Sequence, residues 1–258
     1  MKAIILCAGM GTRLEHYTHN RPKCMVEFYG RPLLNWQLKV LNACGVEEII
    51  LVGGYKAELL SKFGQKVVIN PRYKDTNMLY SLLQAKEEMI SGDDILISYG
   101  DIIYEPRIIK DLLMARGDIV IAADADWRKL WSARFRDPLE DAETFKMDSR
   151  GYLEEIGNSP DSYDRIDAQY RGLIKLSSNY ASRFFEIIDI YRENNSVNKL
   201  EALSMTEMLM YMIRKGEEID VSMTRGGWLE FDNVSDLNLY AELEKAGSLS
   251  SHFDMGVV

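Results

Sequence analysis

Residues 3–23 read AIILCAGMGTRLEHYTHNRPK, and the chain is best read outward from them. Ala3 to Cys7 is an apolar run of only about five residues, which suits a strand covered on both faces of a parallel sheet better than it suits a helix. Gly9 and Gly11 then take Cβ atoms out of the way where the backbone must approach a ligand, and they allow positive φ. Peptide N–H groups converging in such a turn make an anion cradle, to which Thr12 adds a hydroxyl and Arg13 and Lys23 add positive charge. The expected guest is a phosphate chain.

Beyond this stretch, apolar periodicity switches repeatedly between strand and helix. Pro32 to Cys44 carries leucines at helical spacing before Gly45, and residues 47–54, EEIILVGG, form a second strand. KVVIN at 66–70 is a third strand, Asn77 to Met89 a helix, and DDILISYGD at 93–101 another strand running into a polar turn. A helix over 108–116 and a strand over 118–126 continue the alternation, which predicts a doubly wound sheet. The pattern then loosens. Residues 142–157 read as a hairpin turning at Ser149 to Gly151, QYRGLIKLS at 169–177 as a strand, and 180–193 and 204–215 as helices. GEEIDVSMT and WLEFDN give two more strands before a helix over 236–245. With no repeat and no Pro/Ser-rich linker, the expectation is a single domain over residues 1–258 with an acceptor-side insertion at about 125–180. The fold class is α/β, a Rossmann-like mixed, mainly parallel sheet flanked by helices with a small antiparallel extension.

The composition narrows the partners. Of 258 residues, 47% are hydrophobic, an ordinary fraction for a globular core. The net charge of -9 argues against a nucleic-acid surface, which collects Lys and Arg against phosphates. A small anionic ligand needs only local positive charge. Cys7, Cys24 and Cys44 show no CxxC spacing, so neither a disulfide framework nor a zinc site is expected, and the compartment reads as reducing. Gly9, Gly11 and Arg13 interrupt the N-terminal apolar run too early for a signal peptide, and no stretch approaches the roughly 20 apolar residues of a membrane span. A cytoplasmic protein without membrane or nucleic-acid partners is expected.

GMGTRL is not a Walker loop, lacking GxxxxGK[ST] spacing, and it lacks the third glycine of the dinucleotide fingerprint. Taken with Pro22 and Lys23 about ten residues later, it resembles the GxGTR(L)…PK signature of nucleotidyltransferases that act on sugar 1-phosphates and related small phosphates. NPRYKDTNMLYSLL at 70–83 resembles the branch that includes bacterial phosphocholine cytidylyltransferases, and YGDIIYEP, ADADWRKLW, DPLEDAETFKMD, EIGNSP and QYRGLIKLS continue that likeness in order. The resemblance runs from Met1 to about Asn233.

The resemblance implies the nucleotide-diphospho-sugar transferase type of fold and transfer of CMP from CTP to a small phosphorylated acceptor. It also implies nucleotide contacts from Leu6, Ala8, Gly9, Met10, Gly11, Thr12, Arg13 and Lys23, from Asn77 and Ser81 on the following helix, and from Gly100. The catalytic set is Lys23, Arg13 and Asp101. Asp101 and Asp232, each ending a strand, correspond to the pair that holds Mg²⁺, with Mn²⁺ able to substitute; one or two carboxylates plus phosphate oxygens is the usual magnesium environment. Glu230 and Asp236 stand close to Asp232 as alternatives. Trp127, Trp131, Tyr170 and Trp228 with Glu230 form a candidate acceptor pocket, since rings and carboxylates suit an amine or quaternary ammonium. Each feature also has a plain structural reading: a tight turn for the glycines, a helix cap for Asn77, a strand-end turn for each aspartate, and core packing for each aromatic ring. The Met205, Met208, Leu209, Met212, Ile213 stripe reads as core, with an oligomer face as the second reading and a homodimer as the candidate assembly. The other function classes open at this point are a sugar 1-phosphate uridylyl- or thymidylyltransferase and a catalytically silent nucleotide-binding subunit.

Overall fold

A computed structural model describes all 258 residues. Its strands are β1 (Lys2–Cys7), β2 (Glu27–Phe28), β3 (Arg31–Pro32), β4 (Glu48–Gly53), β5 (Lys66–Ile69), β6 (Ile95–Tyr99), β7 (Ile102–Tyr104), β8 (Ile119–Asp124), β9 (Phe145–Met147), β10 (Leu153–Ile156), β11 (Gln169–Leu176), β12 (Asp220–Thr224) and β13 (Trp228–Glu230). The helices are α1 (Leu33–Ala43), α2 (Met78–Leu83), α3 (Lys86–Met89), α4 (Pro106–Met114), α5 (Trp127–Arg134), α6 (Ala181–Asn194), α7 (Val197–Ala202), α8 (Met205–Arg214) and α9 (Val234–Lys245).

Seven strands form the main sheet in the order β12-β8-β11-β6-β1-β4-β5. β1 lies between β4 and β6 and runs parallel to both, and only β11 is antiparallel to its neighbours. The mixed, mainly parallel α/β sheet expected from the alternation is present. The apolar run at residues 3–7 is continuous because both faces of β1 are covered: Ala3, Ile5 and Cys7 enter one core, Ile4 and Leu6 the other. Helices α1, α4, α5 and α9 contribute to the first core, and α2, α3, α6, α7 and α8 to the second. Each fully buried Ile or Leu contributes about 1.5–3 kcal/mol. The methionine stripe of α8 belongs to the second core, with Met205, Met208, Leu209 and Met212 buried. No helix is long and apolar enough to cross a membrane.

The helix expected over 77–89 divides into α2 and α3, because the Gln84 and Ala85 N–H groups donate to Ser81 and Leu82 and tighten the chain there. α5 escaped the periodicity reading, since Trp127, Leu130 and Trp131 give only one apolar turn among charges. The β9–β10 hairpin forms its own two-stranded sheet, whereas β11 enters the middle of the main sheet between β6 and β8.

The register decides where chemistry can gather. Cys7 pairs with Gly53 and Leu6 with Tyr99, so the chain leaves β1, β4 and β6 at one sheet edge. β13 pairs with β7, with Glu230 opposite Ile102, and the Phe231 N–H donates to the Asp101 carbonyl at 3.0 Å. That pairing brings the turn after Glu230 beside the turn after Tyr99.

Candidate active site

The loop after β1 is shaped around Lys23. Gly11 adopts φ 64°, and a Cβ there would lie 2.9 Å from Lys23 Cγ. The Thr18 hydroxyl and the Leu14 N–H both donate to the Gly11 carbonyl at 2.9 Å, closing the turn. Gly9 has ordinary φ and open space where a Cβ would stand, so it leaves room in the cleft; of the two glycines, which both allow positive φ, only Gly11 adopts it.

Lys23 Nζ donates to Asp101 Oδ2 at 2.6 Å and to Asp232 Oδ1 at 2.7 Å. Arg13 Nη2 reaches the same Asp232 oxygen at 3.0 Å from a largely exposed position. Burial alone would lower the Lys23 ammonium, but Asp101 and Asp232 outweigh it and raise it above its ordinary value. Burial likewise would raise the Asp232 carboxyl, yet Lys23 and Arg13 hold it below the usual carboxylate range. The other oxygen of Asp101, Oδ1, is buried without a hydrogen-bond partner.

Behind this knot stands a rigid support. The Asp232 N–H donates to Asp236 Oδ2 at 2.8 Å, and Asn233 and Asp236 cap α9 reciprocally. Arg134, its side chain fully buried, pairs with Asp236 and with Glu230 at 2.9 Å each. Burial pushes the Glu230 carboxyl up to about 7 against the pull of Arg134.

Two cavities meet here. One, of about 170 Å³, is lined by Leu6, Ala8, Gly9, Asn77, Ser81 and Gly100, and also by Tyr73, Met78 and Tyr99, which the sequence did not single out. The other, of about 320 Å³, is lined by Trp131, Tyr170, Trp228 and Glu230, and again by residues missed earlier, among them Asp141, Glu143 and Gln169. A trough carrying Gly11, Thr12, Arg13, Lys23, Asp101 and Asp232 joins them. Met10 borders none of the three, and neither does Trp127, which is buried with its ring 6.0 Å from that of Trp131. Asn77 does cap α2, accepting from the Met78 N–H at 2.7 Å, while its amide donates to the Ala202 carbonyl. The Ser81 hydroxyl accepts from buried Asn70 at 2.9 Å. Gly100 is required by contact: a Cβ would stand 2.5 Å from the Leu6 carbonyl oxygen. His16 and His19 lie exposed on the loop, outside these cavities.

Asp101 and Asp232 could share a hard cation with ligand oxygens. No third His, Cys, Asp or Glu joins them in a metal-binding group, which suits an ion that takes the rest of its shell from phosphate and water.

Comparison with known proteins fits this arrangement. The profile of the MobA-like NTP transferase domain matches residues 3–157. The CTP:phosphoglutamine cytidylyltransferase of Campylobacter jejuni is 38% identical over 257 residues, spanning 94% of this chain and all of the relative. The choline-phosphate cytidylyltransferase of Streptococcus pneumoniae is 44% identical over 96 residues, covering 36% of this chain and 42% of that protein. A solved structure described as the inositol-1-phosphate CTP transferase from T. maritima superposes with a TM-score of 0.74 at 24% identity, covering 100% of this chain and 97% of that one, which establishes a shared fold. On the matched domain and the full-length relative together, this chain belongs to the MobA-like NTP transferase family.

Proposed function

We propose that the chain transfers CMP from CTP to the phosphate or phosphonate of a small, amine-bearing acceptor and releases pyrophosphate. The observation that carries this reading is the Lys23–Asp101–Asp232 junction, which lies where a cavity edged by the glycine loop meets one edged by rings and carboxylates. The relatives' named activities, cytidylyl transfer to phosphoglutamine and to choline phosphate, support it.

In this reading the loop N–H groups and Arg13 hold the β- and γ-phosphates, and Leu6, Ala8, Asn77, Ser81 and Gly100 line the nucleoside side. Lys23 neutralises charge developing at the α-phosphate. An acceptor phosphate oxygen is already a competent nucleophile, so the protein supplies alignment and charge neutralisation. That oxygen forms a new bond to the α-phosphorus while the bond to the bridging oxygen of pyrophosphate breaks, and no covalent enzyme intermediate is formed.

The family's chemistry runs with a divalent metal ion. The donor set here fits one: two carboxylates converge on a single cationic centre, and Asp101 keeps a buried oxygen with no hydrogen-bond donor. Mg²⁺ is the proposed ion, held by Asp101 and Asp232, with Mn²⁺ as a substitute. When bound it would polarise the α-phosphate. Arg13 and Lys23 are then left to the nucleotide's phosphates.

Pyrophosphate release across the four common NTPs, with phosphorylated amines, phosphonates and sugar 1-phosphates as acceptors, tests the reading. CTP with a phosphorylated amine should give a CMP-linked product by mass spectrometry. Turnover confined to UTP or dTTP with sugar 1-phosphates, or no turnover at all, would overturn it.

A further inference from the structure

The acceptor-side cavity carries negative charge that the protein does not neutralise. Four of its lining residues are carboxylates: Asp141, Glu143, Glu230 and Asp232. Glu230 is paired with Arg134, and Asp232 with Lys23 and Arg13. Asp141 receives only the Trp131 indole N–H at 3.2 Å, and the Glu143 carboxylate forms no hydrogen bond or ion pair. Burial raises both carboxyls, opposed at Asp141 by Arg134 and reinforced at Glu143 by Asp141 and Glu207.

The placement of Glu143 is built rather than incidental. The amide of buried Gln169 clamps the Glu143 backbone in both directions, accepting from its N–H at 3.1 Å and donating to its carbonyl at 2.5 Å. Two buried polar atoms on the lining residues lack any protein partner, the Tyr170 hydroxyl and Nε of the fully buried Arg171.

The two indoles of the cavity are not free to cage a methylated cation. Trp131 and Trp228 are 4% and 2% exposed and stack on each other at 6.0 Å and 3°. The Arg134 guanidinium already stands 5.4 Å from the Trp131 ring centre, and Tyr99 and Tyr170 pack edge to face at 5.7 Å. A quaternary ammonium has no N–H and depends on open ring faces. A primary ammonium has three donors and needs oxygen acceptors. This cavity offers the acceptors.

We propose, resting on the cytidylyl-transfer reading above, that the acceptor presents a primary ammonium group held by Asp141 and Glu143, so that phosphorylated or phosphonylated primary amines are substrates and their trimethylated or acylated counterparts are not.

The test pairs acceptors that differ only at nitrogen: phosphoethanolamine against phosphocholine, 2-aminoethylphosphonate against its N-trimethyl form, phosphoglutamine against its Nα-acetyl form, each with saturating CTP. In every pair of which a member is turned over, the free amine should win in kcat/KM by about 10- to 100-fold, the scale of one hydrogen bond to a charged group. Glu143→Gln and Asp141→Asn should each raise the KM for that amine by about 10-fold, with CTP affinity by calorimetry unchanged as the check on folding. A trimethylated or acetylated acceptor used as well as its amine, or variants with unaltered acceptor KM, would overturn the inference. So would exclusive use of amine-free phosphates, although CMP transfer itself would then stand. Absence of CMP transfer to every acceptor would instead sink the underlying reaction, and the inference with it.

Discussion

Lys23 Nζ lies 2.7 Å from Asp232 Oδ1 across 209 residues of sequence, and the same ammonium is 2.6 Å from Asp101. A lysine therefore occupies the position between the two carboxylates proposed to hold the metal ion. The pairing keeps two like charges close together without nucleotide, and it leaves Lys23 charged because its pKa is raised.

Replacing Lys23 with Met should have two separable effects. Turnover of CTP should fall by more than about 100-fold, the scale of one preorganised electrostatic group. In the absence of nucleotide, Mn²⁺ binding followed by electron paramagnetic resonance should tighten, because the carboxylates lose their internal cation. Unchanged or weaker Mn²⁺ binding would show that Asp101 and Asp232 are not the metal pair.

Asp232→Asn should abolish metal-dependent activity without rescue from its neighbours. Asp236 is committed to Arg134, to the Asp232 N–H and to the α9 cap, and Glu230 to Arg134. Metal-dependent turnover in this variant would assign the second ligand to one of them.

Gly11→Ala should cost both stability and turnover. The added Cβ meets Lys23 Cγ at 2.9 Å, and φ 64° is strained for alanine by about 1 kcal/mol. Urea unfolding and CTP calorimetry together check this; full activity would mean that the loop yields without moving Lys23.

Arg134→Ala should destabilise the fold by about 3–5 kcal/mol, since it strands Glu230 and buried Asp236 without their cation. Arg134→Ala with Asp236→Asn should recover part of the loss in urea denaturation, which a purely steric role for Arg134 would not allow.

Glu143→Gln should make the free protein more stable at pH 7 while it weakens acceptor binding. The Glu143 carboxyl is raised by burial and by Asp141 and Glu207. A raised folded value means that ionisation disfavours the folded state: the penalty begins as pH rises through the unfolded value near about 4.3 and is complete above the folded one. The stability gain should therefore be present in melts at pH 7 and vanish in acid below both values.

The local half of this protein was legible in its residues. A five-residue apolar run, glycines placed before Thr12 and Arg13, and a Pro-Lys pair are short-range signals, and they locate β1, the loop and Lys23 because backbone conformation there depends on neighbours in sequence. Leu6, Ala8, Gly9, Asn77, Ser81 and Gly100, which the resemblance groups together, line one cavity, and Asp101 and Asp232, which it pairs, share the Lys23 ammonium.

The second cavity could not be read that way. Trp127 and Trp131 lie on the same short helix, yet only Trp131 borders the cavity, because an aromatic ring has the same sequence signature whether it lines a pocket or fills a core. Asp141 and Glu143 carried no signal of their own in the sequence; β11 enters the main sheet and brings Gln169 to clamp the Glu143 backbone. The sequence by itself determined the strand, the glycine loop and its cations, which are properties of contiguous residues. Which carboxylates remain without a cation was decided only by the tertiary structure, because that depends on the partners strand pairing delivers from elsewhere in the chain.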